Sequence, residues 1–203
     1  MGAISYKEEV KRKLIHLSSL WMPLAILFID RKVMLWVFGG CLAGNLIVER
    51  LRADGVKWIT PLYDRFFGRM LRFEPRPGQW IISGGPYVFA AALTVTFLVP
   101  SPVAAACMAV MLCGDTAAAL IGRKFGRHAA VNGKSAEGCL AFCLAGYAGA
   151  MAFTQGGFAG VMIPCVIAGM LAELFEKNTR VDDNFSIPVV SALVWLAFTW
   201  CMG

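Results

Sequence analysis

SPVAAACMAVMLCGDTAAALIGRKFG, residues 101–126, is apolar from Pro102 to Ile121 except for one carboxylate, Asp115. A helix of about 20 residues is about 30 Å long, the thickness of a bilayer's hydrocarbon. The block predicts a transmembrane helix over 102–121. Similar blocks lie at 14–29, 33–48, 79–99, 138–154, 158–175 and 187–202. Turn signals separate them at Asp30-Arg31-Lys32, Pro100-Ser101-Pro102 and Gln155-Gly156-Gly157. The composition agrees: 58% of residues are hydrophobic, with a mean hydropathy of +0.65, against about 45–50% apolar in soluble domains. The expectation is an all-α polytopic bundle of about seven transmembrane helices, forming one membrane-embedded domain over 1–203.

Charge orients that bundle. Of the 19 Lys and Arg residues, only Arg31 and Lys32 fall in turns of one side. The others precede the first block, lie between the second and third, between the fourth and fifth, or after the sixth. By the positive-inside rule these segments and the N-terminus are cytoplasmic, and the C-terminus is outside. The first block is followed by further spans and has no small-residue cleavage site, so it reads as a span and not as a signal peptide. Topology and attraction to anionic bilayer lipids account for the net charge of +6, so no nucleic-acid partner is called for.

The seven cysteines, Cys41, Cys107, Cys113, Cys139, Cys143, Cys165 and Cys201, all lie in apolar blocks. They include no CxxC pair and read as packing residues. Segment 56–73 differs from the spans. Ile59, Leu62, Phe66, Met70 and Phe73 recur at helical spacing, with Lys57, Arg65, Arg69 and Arg72 largely opposite. This predicts an amphipathic helix in the cytoplasmic interface, either a plain anchor or a platform that admits a lipid headgroup.

Three polar clusters carry the candidate chemistry. Asp115 is a carboxylate late in an apolar span, followed by Ala118, Gly122 and Gly126 at i+3, i+7 and i+11. That small-residue face admits a ligand or packs another helix. The next loop adds Arg123, Lys124, Arg127, Lys134 and Ser135, all donors suited to phosphate, and Glu137 opens the following span. Anion donors between two carboxylates suit phosphoryl or nucleotidyl transfer with a divalent cation. Gly133-Lys134-Ser135 is not a P-loop, because His128 stands where the first glycine would be. A second cluster closes the sixth block: Glu173, Glu176, Asp182, Asp183 and Asn184, before Ile187-Pro188. It reads as a helix cap or, better, as a metal site. The third cluster, Glu9, Arg12, Lys13 and His16, shares one helix face. Asn45 and Glu49 form a further polar pair ending the second block.

The stretch from Gly114 to Gly138 resembles the CTP-binding signature of the CTP-dependent lipid kinases: dolichol kinase, phytol kinase and the eukaryotic-type CTP-using diacylglycerol kinase. The family pattern falls on Asp115, Ala118, Gly122, Gly126, Lys134, Ser135, Glu137 and Gly138. The gap between its halves is a little shorter here. Gly133 stands where the family has its first lysine, and Ser135 where it has threonine. Glu9-x-x-Arg12-Lys13-x-x-His16 is similar to the family's opening element, and Asp182-Asp183-Asn184-x-x-Ile187-Pro188 to its closing one. Arg72-x-Glu74 before Gly78 matches a weaker middle element.

The resemblance implies transfer of the CTP γ-phosphate to the hydroxyl of a membrane lipid alcohol: diacylglycerol, a polyprenol or phytol. It implies CTP contacts from Asp115, Ala118, Gly122, Arg123, Gly126, Lys134, Ser135, Glu137, Gly138 and Asn184. It implies Mg²⁺ on Asp115 with Asp183 or Glu137, and catalytic roles for Arg12, Lys13, His16, Asp182 and Asp183. A phosphatidate cytidylyltransferase is the alternative, although the long Asp-Arg-x-Asp-bearing signature of that enzyme is absent. A transporter or lipid-binding scaffold is the non-enzymatic alternative, but a transporter would gather its polar groups near the midplane.

Overall fold

A computed structural model describes residues 6–56, 59–61, 80, 82–154 and 158–202. Among the described residues there is no strand, and pairing is limited to a bridge between Ala129 and Ser135. The 56–73 amphipathic segment lies mostly outside the described residues, as do Arg72, Glu74 and Gly78.

The chain opens with α1 (Tyr6–Ser18), α2 (Trp21–Phe28) and α3 (Arg31–Ala53). On α1 the charged residues Glu9 and Lys13 are buried, while Leu14 and Ile15 face outward. The second half of the helix thus turns charge inward and apolar side chains outward, which suits an apolar surround. The expected span 14–29 is two helices, not one. Ser19 and Leu20 close α1 with i→i+3 bonds to His16 and Leu17 carbonyls. Pro23 supplies no N–H for the carbonyl of Ser19, so an unbroken helix would be one bond short there. Asp30 caps α3 by accepting from the backbone N–H groups of Lys32 and Val33 at 2.8 and 3.3 Å.

Next come α4 (Gly84–Leu98), α5 (Ser101–Phe125), α6 (Ala136–Thr154), α7 (Ala159–Leu174), the short α8 (Glu176–Thr179) and α9 (Asp183–Met202). The last helix starts four positions before the expected boundary at 187, because Asp182 caps it. Helices α3, α5, α6 and α9 are long and apolar enough to cross a membrane. Helices α4 and α7 are apolar but shorter.

Helix α5 is the axis of the bundle, packing against α1, α2, α4, α6, α7 and α9. Every residue from Val103 to Leu112 is fully buried. The outer helices turn Phe28, Trp36, Leu140, Leu144, Leu193 and Trp200 outward. Large apolar side chains outside and small ones such as Ala104, Ala105 and Ala106 inside are what hydrocarbon solvent selects.

Within α5, Val110–Asp115 is wound as a π-helix. A π turn adds a residue and rotates everything after it, a device that recurs where a helix must aim a functional side chain. Here its last residue is Asp115. The C-terminal ends of α3, α5 and α7 meet the N-terminal ends of α4, α6 and α9 through the polar contacts described next. The polar residues therefore gather at one end of the bundle.

Candidate functional site

The buried face of α1 delivers its charges to α5. The Lys13 ammonium forms an ion pair with Asp115 Oδ2, both side chains almost wholly buried. His16 Nε2 lies 3.5 Å from the same oxygen. One turn earlier, buried Glu9 accepts from Arg12 Nη2 at 2.6 Å and faces Arg123 Nη2 of α5 at 3.4 Å. Two half-exposed guanidiniums from two helices are thus fixed by one carboxylate. Lys13 and His16 of the opening cluster stand against Asp115, and Arg12 shares Glu9 with Arg123.

The loop 126–135 lies on the ends of α6, α7 and α8. Its Lys134 ammonium pairs with the buried carboxylate of Glu173 on α7. Burial pulls Lys134 down, but Glu173, with Asp183 and Asp115 beyond it, outweighs burial and raises the ammonium above its ordinary value. Lys134 therefore sits between α5, α7 and α9 electrostatically. Ser135 Oγ accepts from the Gly138 N–H at 3.1 Å and so caps α6. Glu137 accepts from His128, at 2.7 Å from Nδ1 and 3.2 Å from the backbone N–H.

At the entrance of α9, Asp182 Oδ1 accepts from the Asn184 N–H at 3.0 Å and from its Nδ2 at 2.7 Å. The capping role holds for Asp182. Carboxylate oxygens of Glu176, Asp182 and Asp183 also lie within 4.8 Å of one another. Of the residues expected to hold a metal, one lies in this group and two contact basic side chains. Asp183 belongs to this triplet, whereas Asp115 is matched by Lys13 and Glu137 by His128. Asn184 reaches α4, where a Cβ on Gly84 would be 3.2 Å from its Nδ2. Glu49 of α3 accepts from the Ser83 N–H at 3.1 Å, joining α3 to the start of α4.

The small-residue face of α5 is occupied by α6. A Cβ on Gly122 would lie 3.1 Å from Ser135 Oγ and 3.5 Å from Gly138 Cα. One on Gly138 would lie 3.1 Å from the Ala118 carbonyl oxygen. Ala118, Gly122 and Gly138 therefore let two backbones approach, and Gly126 sits against Ser135 in the same seam. Sequence reasoning placed Glu9 and Glu173 in its polar clusters without giving either a role; both are buried carboxylates holding the site's cations. The signal for Glu9 was its i, i+3 spacing from Arg12, and for Glu173 its standing as the one charged residue of an apolar helix.

The chain is 26% identical over 203 residues to the uncharacterized protein RP860 of Rickettsia prowazekii (strain Madrid E), and the match covers 96% of each. No family model and no solved structure matches the chain.

Proposed function

We propose that this chain is a CTP-dependent kinase that phosphorylates the hydroxyl of a membrane lipid alcohol. The observation that carries the reading is the meeting, at one end of an apolar bundle, of Lys13 on Asp115, Lys134 on Glu173, and the Glu176–Asp182–Asp183 carboxylates. Buried cations with phosphate-binding chemistry beside a set of hard oxygen donors are what phosphoryl transfer requires. The choice of CTP rests on the sequence signature around Asp115.

In this reading seven passes span the bilayer, with α1–α2 as the first and α4 and α7 as the short ones. A 15-residue helix is only about 22 Å long, and interfacial residues flanking it make up the span. The N-terminus and the polar end face the cytoplasm, where CTP is.

The triplet fits Mg²⁺, which takes oxygen ligands in small number beside substrate phosphates. Glu176 and Asp183 would hold it, and when bound it would neutralise triphosphate charge. Lys134 and Arg123 hold the phosphates in line. The lipid hydroxyl oxygen attacks the γ-phosphorus, and the bond to the CDP oxygen breaks. Arg12 and Lys13 offset the charge that develops on the leaving side. One carboxylate of the Asp182–Asp183 pair takes the hydroxyl proton. Fixing these groups on helices supplies orientation, much of the work in this chemistry.

A second reading, cytidylyltransfer onto a lipid phosphate, is favoured by the two guanidiniums held on Glu9, which would clamp an anionic acceptor. Purified protein with Mg²⁺, CTP and a panel of lipid alcohols plus phosphatidate tests the proposal. CDP release that depends on an alcohol supports it. Turnover with phosphatidate alone, or no turnover with any acceptor, overturns it.

A further inference from the structure

Loop 126–135 is fastened by a residue that the transfer chemistry does not use. Asn132 has φ +60°, in the left-handed region that asparagine and glycine tolerate best, and Gly133 follows at φ +78°. That backbone turn aims the Asn132 side chain away from the loop and onto the neighbouring helices. Its Nδ2 donates to the Leu174 carbonyl oxygen at 2.8 Å and to Asn178 Oδ1 at 2.6 Å. In return, Lys177 Nζ donates to the Asn132 carbonyl oxygen at 2.7 Å. Leu174 is the residue after Glu173, and Lys134 is two residues after Asn132. The staple and the Lys134–Glu173 ion pair are thus adjacent rungs between the same two segments. Inside the loop, Ala130 N–H donates to the Lys134 carbonyl oxygen at 2.9 Å, and Lys134 N–H donates to that of Val131 at 3.2 Å. Position 132 therefore sets where the Lys134 ammonium stands.

We propose that Asn132 is a positioning residue, stapling the loop to the α7–α8 junction so that Lys134 is held ready for an anionic phosphate ligand. That the ligand is the CTP triphosphate rests on the function proposed above; the staple itself does not. The Leu174 carbonyl dictates the chemistry, because only a donor can occupy the position. Asparagine meets both demands, a left-handed backbone and an amide N–H₂. Glycine meets the first alone, and aspartate keeps the shape without the donor.

The test reads the rate at which an acetylating amine reagent modifies Lys134, mapped by mass spectrometry with exposed Lys7 and Lys11 as references. Asn132→Gly keeps the backbone conformation and removes the staple, so Lys134 is expected to react about tenfold faster while the thermal midpoint stays near that of the wild type. Asn132→Asp is expected to behave like Asn132→Gly and not to rescue. Unchanged Lys134 reactivity in Asn132→Gly, or full rescue by Asn132→Asp, overturns the proposal. In wild-type protein, added CTP is expected to protect Lys134 and to protect it less in Asn132→Gly, with a raised KM for CTP and a nearly constant kcat. If Lys134 responds to Asn132→Gly but CTP gives no protection, the staple stands and the CTP reading fails.

Discussion

Lys13 and Asp115 stand 102 positions apart and share one buried contact. Each charge alone in hydrocarbon would be expensive, and each is tolerable because the other is there. Asp115→Asn leaves Lys13 and His16 facing a neutral amide. It should lower CTP turnover by about 100-fold or more, the scale of losing one fixed electrostatic group. Removing one partner of a buried pair also costs about 3–5 kcal/mol. The double variant Asp115→Asn with Lys13→Met should therefore recover much of the lost melting temperature in detergent without recovering turnover. Activity returning with stability would make the pair a structural feature only. At this scale the sequence was partly legible. Asp115 and Glu173 were visible as polar intrusions in apolar blocks, and the other charged residues of the site as clusters beside those blocks. Who pairs with whom was not, because Lys13 had Asp115 and Glu9 within reach of one helix face, and Lys134 had six acids within 50 positions. Only the packed geometry assigns Glu173 to Lys134 and His128 to Glu137.

Helix α5 shows how an element carries that geometry. Its π segment ends on Asp115, and its glycine seam lets α6 close in beside it. The spacing of Ala118, Gly122 and Gly126 fitted either a ligand or a helix neighbour. The structure has the helix, because α6 opens with Gly138 at the matching height. Gly138→Leu would drive α6 into the Ala118 carbonyl, an overpacking cost of about 1–3 kcal/mol. Gly39→Leu on the same protein meets nothing within 4 Å. Thermal unfolding in detergent should fall clearly for the first and hardly for the second. Equal melting would show that α5 and α6 do not touch through these glycines. The hydropathy blocks located the helices, since apolar length is a property of the sequence alone. The break at Ser19–Leu20 and the π turn were not foreseen, since both depend on which backbone carbonyls find partners. Pro23 was the available signal for the first.

Across the whole molecule, one end of the bundle is polar and the sides are apolar. In the proposed topology that end faces the cytoplasm. Single cysteines placed within 127–132 or 178–184, in a background lacking the native ones, should react with an impermeant thiol reagent only when the cytoplasmic side is open. Native Cys201, exposed at the far end of α9, should react from outside. Labelling of either loop from outside would separate the polar end from the CTP pool and remove the basis for a nucleotide substrate. The chemistry itself is decided by which phosphorus the lipid oxygen attacks. An alcohol attacking the γ-phosphorus keeps that phosphate and releases CDP, whereas a lipid phosphate attacking the α-phosphorus keeps the cytidylyl group and releases pyrophosphate. Protein in vesicles, Mg²⁺ and a lipid alcohol, given CTP labelled at either position, read this directly. The lipid should take label from γ-labelled CTP and none from α-labelled CTP; label entering from the α position, with pyrophosphate released, would contradict the kinase account.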